Sequence, residues 1–180
     1  VIDMETKEED FVNIFVTANT HDDLLFFSDK GKVYQVKMHE LPEGKKATKG
    51  KSVMNFLSIS ADEKITSILV FPKSAKEKES FLMMATKNGV VKKVDASNFK
   101  DVRRNGITAI KLEKGDELKF VKFVYKDDHF IIATKDGQSV MFKESDVRSM
   151  GRAAAGVRGI RLDDKDEVIG SDTVSAGGKN

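Results

Sequence analysis

The residues of this 180-residue chain that could do chemistry are lysines and arginines gathered in three loops. Four lysines fall within residues 44–51 with no acid among them, Arg103 and Arg104 stand together in a second loop, and residues 147–162 carry four arginines and no acid. Each loop also holds glycine, which lets a backbone N–H approach a phosphate, while arginine offers a fork that matches phosphate oxygens. The pattern predicts phosphate-backbone contacts over simply solvated charge.

The candidate phosphate-contacting residues share a basic side chain in or just before one of these loops. They are Lys45, Lys46, Lys49, Lys51, Lys92, Lys93, Arg103, Arg104, Arg148, Arg152, Arg158 and Arg161. For Arg158 and Arg161, which fall in a predicted strand, pairing with acids of a neighbouring unit is the alternative. Few aromatic residues stand among them, Phe99 being the nearest. This favours a duplex held by its phosphates over single-strand bases stacked on rings.

Catalytic and metal sites are not predicted. His21, His39 and His129 are isolated and show no metal-ligand spacing, and the chain has neither a nucleophile elbow nor a Lys-Ser/Thr phosphate loop. The Asp163-Asp164 pair could be read as acid/base partners, but acids recur at this place in each repeat and are interpreted as turn residues. No catalytic residue, metal or cofactor is therefore expected in these residues.

The amino-acid composition does not identify a binding partner, but it does bear on the cellular compartment. The formal charge of +2 is too small to indicate a polyanion partner, so the distribution of charge has to carry that argument. The absence of cysteine fits a reducing cytoplasm, and no apolar run approaches the roughly 18 residues that cross a bilayer.

The loops are positioned by an internal repeat of about fifty residues, the period of blades, solenoids or arrays. Gly31, Gly89 and Gly137 each close a turn between two apolar strands, at spacings of 58 and 48 residues. The Asn-Gly and Asp-Gly turns indicate hairpins of type I′, in which both central residues have positive φ. In each unit a second glycine follows in the basic loop, and then an acidic cluster. The second glycines are Gly50, Gly106 and Gly156, and the clusters are Asp62-Glu63, Asp116-Glu117 and Asp166-Glu167.

Each unit has four predicted strands, so the chain is predicted to be all-β, with propeller-like blades of four antiparallel strands in an incomplete ring. The incoming strand of each hairpin is a nearly continuous apolar run and is expected to be buried on both faces. The third strands are predicted at residues 53–57, 107–112 and 157–162. The expected organisation is half a blade at 1–20, blades at 21–71, 81–126 and 127–174, an inserted loop at 72–80, and a linker at 175–180.

Three segments carry a resemblance to a known family: ANTHDDLLFF at 18–27, ATKNGVVKK at 85–93, and ESDVRSMGR at 144–152 running on into GVRGI at 156–160. On these segments the chain resembles the C-terminal domain of the A subunit of bacterial DNA gyrase along essentially its whole length. The resemblance implies a β-pinwheel whose blades exchange strands. It also implies a basic rim around which duplex DNA bends, so that ATP-dependent strand passage introduces negative supercoils.

The same resemblance implies binding partners, and it implies which functions belong to other domains. The expected partners are double-stranded DNA, the remainder of the A subunit of gyrase, and the gyrase B subunit, in the bacterial cytoplasm at the nucleoid. ATP and Mg²⁺ would be used by other domains, and the catalytic tyrosine would lie in the breakage–reunion domain, so Tyr34 and Tyr125 are not expected to be catalytic. The family's Gln/Arg/Gly/Lys-rich box would precede Val1. The equivalent domain of topoisomerase IV and a protein-interaction propeller are the alternatives.

Overall fold

Each of the three glycine turns joins two antiparallel strands in the computed structural model, which describes residues 23–37, 57–71, 79–103 and 105–176. Short 3₁₀ helices follow the second and third hairpins at Ala96–Phe99 and Glu144–Asp146. The strands of the described residues are β1 (Asp23–Ser28), β2 (Lys32–Lys37), β3 (Ile65–Phe71), β4 (Ser80–Thr86), β5 (Val90–Asp95), β6 (Ile107–Thr108), β7 (Leu118–Tyr125), β8 (His129–Thr134), β9 (Ser139–Lys143), β10 (Val157–Arg158) and β11 (Val168–Val174).

The hairpin turns differ from the predicted type. The Gly31 amide donates to the Ser28 carbonyl at 3.1 Å, and Gly31 has a φ of 78° whereas Lys30 before it does not have a positive φ. Gly89 and Gly137 repeat this geometry. A turn followed by one left-handed glycine is the usual three-residue hairpin loop. The prediction of type I′ turns is therefore wrong, because only the glycine takes the left-handed conformation.

The strands form three sheets that share segments between repeats. The sheet orders are β3-β1-β2-β6, β10-β5-β4-β7 and β11-β8-β9. Although β6 follows the second hairpin in sequence, it pairs with β2 of the first sheet; in the same way β10 follows the third hairpin and pairs with β5 of the second. The strand exchange implied by the resemblance is therefore confirmed, and with it the all-β, blade-like fold.

The exchanged strands are shorter than predicted. Instead of running to residues 112 and 162, they keep two residues each as strand. After β6 the chain bends, and the amides of Ala109 and Ile110 both donate to the Gly31 carbonyl at 2.8 and 3.2 Å. Gly159 and Ile160 bond in the same way to the Gly89 carbonyl. The hairpin turn of one repeat thus captures the connecting segment of the next.

The buried apolar side chains pack between neighbouring sheets. One apolar cluster lies between the first and second sheets around Phe27 and Met84, and another lies between the second and third around Met83 and Phe130. The apolar runs of β1 and β4 are buried on both faces as predicted. For β8 that prediction is wrong, since alternate residues of the strand are only half-buried and one of its faces carries the packing.

The sheets have two edges with different neighbours. β7 contacts both β3 and β11, and the Thr66 hydroxyl of β3 donates to the Leu118 carbonyl of β7 at 2.8 Å. We call this side, formed by β3, β7 and β11, the inner edge. The opposite side, formed by the exchanged strands β6 and β10, is the outer edge.

Some predicted features lie outside the described residues: the half-blade at 1–20, residues 53–56 of a predicted strand, and residues 72–78 of the inserted loop. The blade boundaries stay a prediction. Within the described part of the chain, no helix is both long and apolar enough to span a membrane.

Candidate nucleic-acid interface

Two basic segments reach the outer edge. We call residues 100–112, which contain β6, the second connector, and residues 147–162, which contain β10, the third connector. Each leaves a 3₁₀ helix, passes a left-handed glycine (Gly106 or Gly156) and supplies the edge strand of the preceding sheet. The connector that carries Lys45, Lys46, Lys49 and Lys51 lies outside the described residues, and so does Arg104.

The two connectors touch each other directly. The Lys111 amide of the second connector donates to the Ala154 carbonyl of the third at 3.1 Å. The sequence-based expectation that basic connectors of successive repeats lie side by side is met by this pair. Segments that are far apart in sequence therefore meet at the outer edge.

The arginines of the connectors lie at the surface. Arg103, Arg148, Arg158 and Arg161 are exposed, and Arg152 is half-buried. Arg158 sits on β10 opposite Val90, at the outer edge of the second sheet. Ion pairs within the described residues are formed by lysines instead: Lys87 with Glu167, Lys93 with Glu144, and Lys119 with Glu117. In the described part of the chain the arginines are thus not engaged by carboxylates, including Arg158 and Arg161.

Lys92 is not at the surface. Its side chain is fully buried, and the ammonium donates to the carbonyls of Ala109 at 2.8 Å, Arg152 at 2.6 Å and Ala154 at 2.8 Å. Burial, and next the nearby Arg152 guanidinium, lower the pKa of Lys92 to about 8. The prediction that Lys92 contacts phosphate is corrected, because all three of its donors are used inside the protein.

Lys93 is buried on the other face of the same strand. It is 6% exposed, and its ammonium donates to the Glu144 carboxylate at 2.7 Å and to the Glu144 carbonyl at 3.0 Å. The same ammonium stands over the Phe81 ring, 4.6 Å from the centroid. This pairing removes Lys93 from the candidate phosphate contacts as well.

The glycines of the connectors have a packing reason. A Cβ on Gly156 would lie 2.6 Å from the Val91 carbonyl oxygen, and one on Gly106 would lie 2.5 Å from the Tyr34 ring. Real Cβ atoms do not approach so closely, so glycine is required where each connector crosses the preceding sheet. Its presence beside basic residues is explained by the fold without any phosphate.

The acidic clusters are turn-forming, as predicted. Asp116 Oδ1 accepts hydrogen bonds from the Asn88 amide at 3.0 Å and from the Glu117 amide at 2.8 Å. Asp166 Oδ1 accepts from the Asp136 and Glu167 amides at the same distances. These carboxylates tie the start of the fourth strand to a glycine turn. Among the described residues, no group of three or more His, Asp and Glu side chains is arranged to hold a metal ion.

Sequence reasoning missed two residues of this region. Lys111 is exposed and lies on the second connector where Arg161 lies on the third, so alignment of the two repeats would have found it. Tyr34 is buried under Gly106 and donates to both oxygens of Glu63, at 2.9 and 2.8 Å. Burial, and next this hydrogen bond, raise the pKa of Tyr34. Tyr34 thus links the second connector to Glu63 of the first repeat.

The sequence and the fold of this chain were both found to match one group of known proteins. The family described as DNA gyrase C-terminal domain, beta-propeller, matches residues 22–72, 80–124 and 128–175. The A subunit of DNA gyrase from Staphylococcus aureus strain MRSA252 is 42% identical over 173 residues, which is 96% of this chain and 19% of the relative. The chain thus spans about a fifth of that protein.

Solved structures agree with the sequence match. The C-terminal domain of DNA topoisomerase IV superposes with a TM-score of 0.78 at 29% identity, covering 88% of this chain and 49% of that one. A DNA gyrase A C-terminal domain superposes with a TM-score of 0.70 at 25% identity, covering 87% and 49% respectively. The E. coli ParC C-terminal domain, at 16% identity and a TM-score of 0.69 over 90% of this chain and 69% of that one, shares the fold.

Proposed function

The chain belongs to the family of DNA gyrase C-terminal domains with a β-propeller fold, and from that premise we propose that it binds duplex DNA along its outer edge and bends the duplex around it. One observation carries the proposal: two basic connectors from successive repeats are hydrogen-bonded to each other, with exposed arginines along them. Arginine binds phosphate oxygens through a planar fork, and contacts to the backbone alone give binding without sequence readout.

The wrapped duplex then supplies a crossing of defined sign to the rest of the enzyme. In a complete gyrase, assembled from its A and B subunits, ATP-dependent strand passage through that crossing would introduce negative supercoils in the bacterial cytoplasm, at the nucleoid. This part contributes DNA geometry and no catalytic group. The ATP and Mg²⁺ chemistry belongs to other domains. The remaining candidates for phosphate contact in the described residues are Arg103, Arg148, Arg152, Arg158 and Arg161, with Lys45, Lys46, Lys49, Lys51 and Arg104 proposed from sequence.

The parent enzyme is proposed to be gyrase. The 42% identity to the A subunit of a gyrase over nearly the whole chain supports it. The equivalent domain of topoisomerase IV is the second candidate, since the TM-score to that structure is 0.78. A supercoiling assay of the complete parent enzyme, with relaxed plasmid and ATP, separates the two, because only gyrase would produce negative supercoils from it.

The direct test is a salt titration of duplex binding. If about six phosphates are contacted, the affinity should fall roughly 10³-fold between 50 and 200 mM salt. Arg148→Glu should weaken binding and lower the salt slope by about one contact or more, whereas Lys64→Glu should change neither. Lys64 is an exposed cation that directly precedes β3, the inner-edge strand of the first sheet. Salt-insensitive binding, a preference for single strands, or equal effects of the two variants would refute the proposal.

A further inference from the structure

The buried ammonium of Lys92 sits where the two connectors meet. Its three acceptors come from both of them: Ala109 from the second, and Arg152 and Ala154 from the third. The Ala154 carbonyl also accepts the Lys111 amide, so one oxygen receives a bond from the second connector and another from the β5 side chain. An ammonium has three donors and no acceptor, so three carbonyls satisfy it completely.

We propose that Lys92 is a positioning residue for DNA binding, which locks the third connector against the second and so fixes the spacing of the arginines on both. Burying an ammonium is costly unless it is fully hydrogen-bonded. The three hydrogen bonds of Lys92 hold the two connectors in a single arrangement, although each connector pairs with a sheet through only two strand residues. This proposal rests on the proposed function above, since it concerns the same outer edge.

The repeats show that the position is specialised. Counting from the turn glycine, Lys92 corresponds to Tyr34 in the first hairpin and to Val140 in the third. Tyr34 lies under the glycine of the second connector, and Lys92 lies under that of the third, with its Cβ 3.2 Å from the place a Gly156 Cβ would take. Both therefore support a connector from below. Only Lys92 among these three bonds to the backbone of two connectors at once, because it alone carries several donors at the end of a long stem.

The first experiment uses the unmodified chain. The Lys92 ammonium protons should exchange with water at least tenfold more slowly than those of exposed lysines, as measured by ¹⁵N-detected NMR at pH 6, because all three are hydrogen-bonded and buried. Exchange as fast as that of exposed lysines would overturn the proposal without any substitution.

The second experiment compares Lys92→Met, which keeps the stem and removes the donors, with Arg152→Gln, which keeps the backbone carbonyl. In Lys92→Met the Lys111 amide should exchange with solvent roughly ten- to hundredfold faster, because two of the three lost hydrogen bonds, those to Arg152 and Ala154, hold the third connector. Duplex affinity should fall about fivefold or more, although position 92 cannot touch DNA. In Arg152→Gln the salt slope should fall by about one contact while the Lys111 amide keeps its exchange rate.

The outcomes separate the two proposals. If the unmodified chain does not bind duplex DNA, the proposed function fails, while the exchange measurements still report on the lock between connectors. If Lys92→Met leaves Lys111 exchange unchanged, the lock is refuted and the DNA-binding proposal stands. If Lys111 exchange accelerates but affinity is unchanged, Lys92 holds the connectors together without positioning the arginines, and the inference is wrong.

Discussion

Replacing Lys93 by methionine tests whether the lysine belongs to the interior or to the DNA surface. Lys93 and Glu144 are both almost completely buried and are joined at 2.7 Å. Methionine leaves the Glu144 carboxylate buried with one remaining partner, the Asp127 amide, at 3.2 Å from its other oxygen. Removing one member of a buried ion pair costs about 3–5 kcal/mol of unfolding free energy, because the other charge stays behind uncompensated.

The double variant Lys93→Met/Glu144→Met should recover most of this loss. Two apolar side chains of similar volume remove both buried charges, which is often neutral for stability. The Asp127 amide loses its acceptor, so a deficit of about 1 kcal/mol should remain. The coupling energy from the full cycle, including Glu144→Met alone, should therefore be at least about 2 kcal/mol.

Urea unfolding followed by far-UV circular dichroism measures these differences, since the chain has no tryptophan to report by fluorescence. With an m-value of roughly 2 kcal/mol/M, a loss of about 3 kcal/mol moves the midpoint down by ~1.5 M. Duplex affinity, measured where each variant is fully folded, should stay within about twofold of the parent. A Lys93→Met variant of normal stability but weakened DNA binding would refute the reasoning and return Lys93 to the DNA-contacting set.

Two further predictions concern the turns. Gly89→Ala should destabilise the fold by more than Gly137→Ala. Both glycines have positive φ, but only a Cβ at position 89 would meet a neighbour, the Ile160 carbonyl oxygen at 2.7 Å. Equal decreases of the melting temperature in the two variants would show that contact with the exchanged segment is not the reason. Burial by itself would raise the pKa of Asp166, but the neighbouring Thr134 side chain and the Asp136 and Glu167 amides, which donate to its Oδ1, lower it below its usual 3.8. Its contribution to stability should thus be present above pH 3.8 and lost as the pH falls through the lowered value, and Asp166→Asn, compared by acid unfolding, should flatten that dependence.

The hairpins could be predicted from sequence because their information is local. A turn glycine between two apolar runs predicts an antiparallel pair of strands. The same pattern recurs in each repeat, and this supports the prediction of each hairpin. The exchange of β6 and β10 is a different matter, because the sequence of a strand does not say which of two adjacent sheets it joins. Here the family resemblance supplied what periodicity could not.

The predictions for Lys92 and Lys93 were wrong because they considered the charge of the two residues and not their positions within a strand. Both lie between Val91 and Val94, inside a strand whose faces are both covered, so one lysine enters each face. The aligned positions in the first hairpin are Tyr34 and Gln35, neither of them basic. Basic residues recur in the connector of every repeat, although not always at the same aligned position, whereas the pair at 92 and 93 has no basic counterpart in either of the other two hairpins.

The separation of charge within each repeat explains how a chain of net charge +2 can present a basic edge. The recurring acids Asp116 and Asp166 are committed to amides at the strand starts, where they hold turns together. Within the described residues the carboxylates that do form ion pairs take lysines as partners, so the connector arginines keep their donors. Binding a phosphate at Arg148 or Arg158 would then require no existing ion pair to break. The remaining costs are desolvation of the guanidinium and ordering of its side chain, and a backbone that is already fixed lowers the second of these.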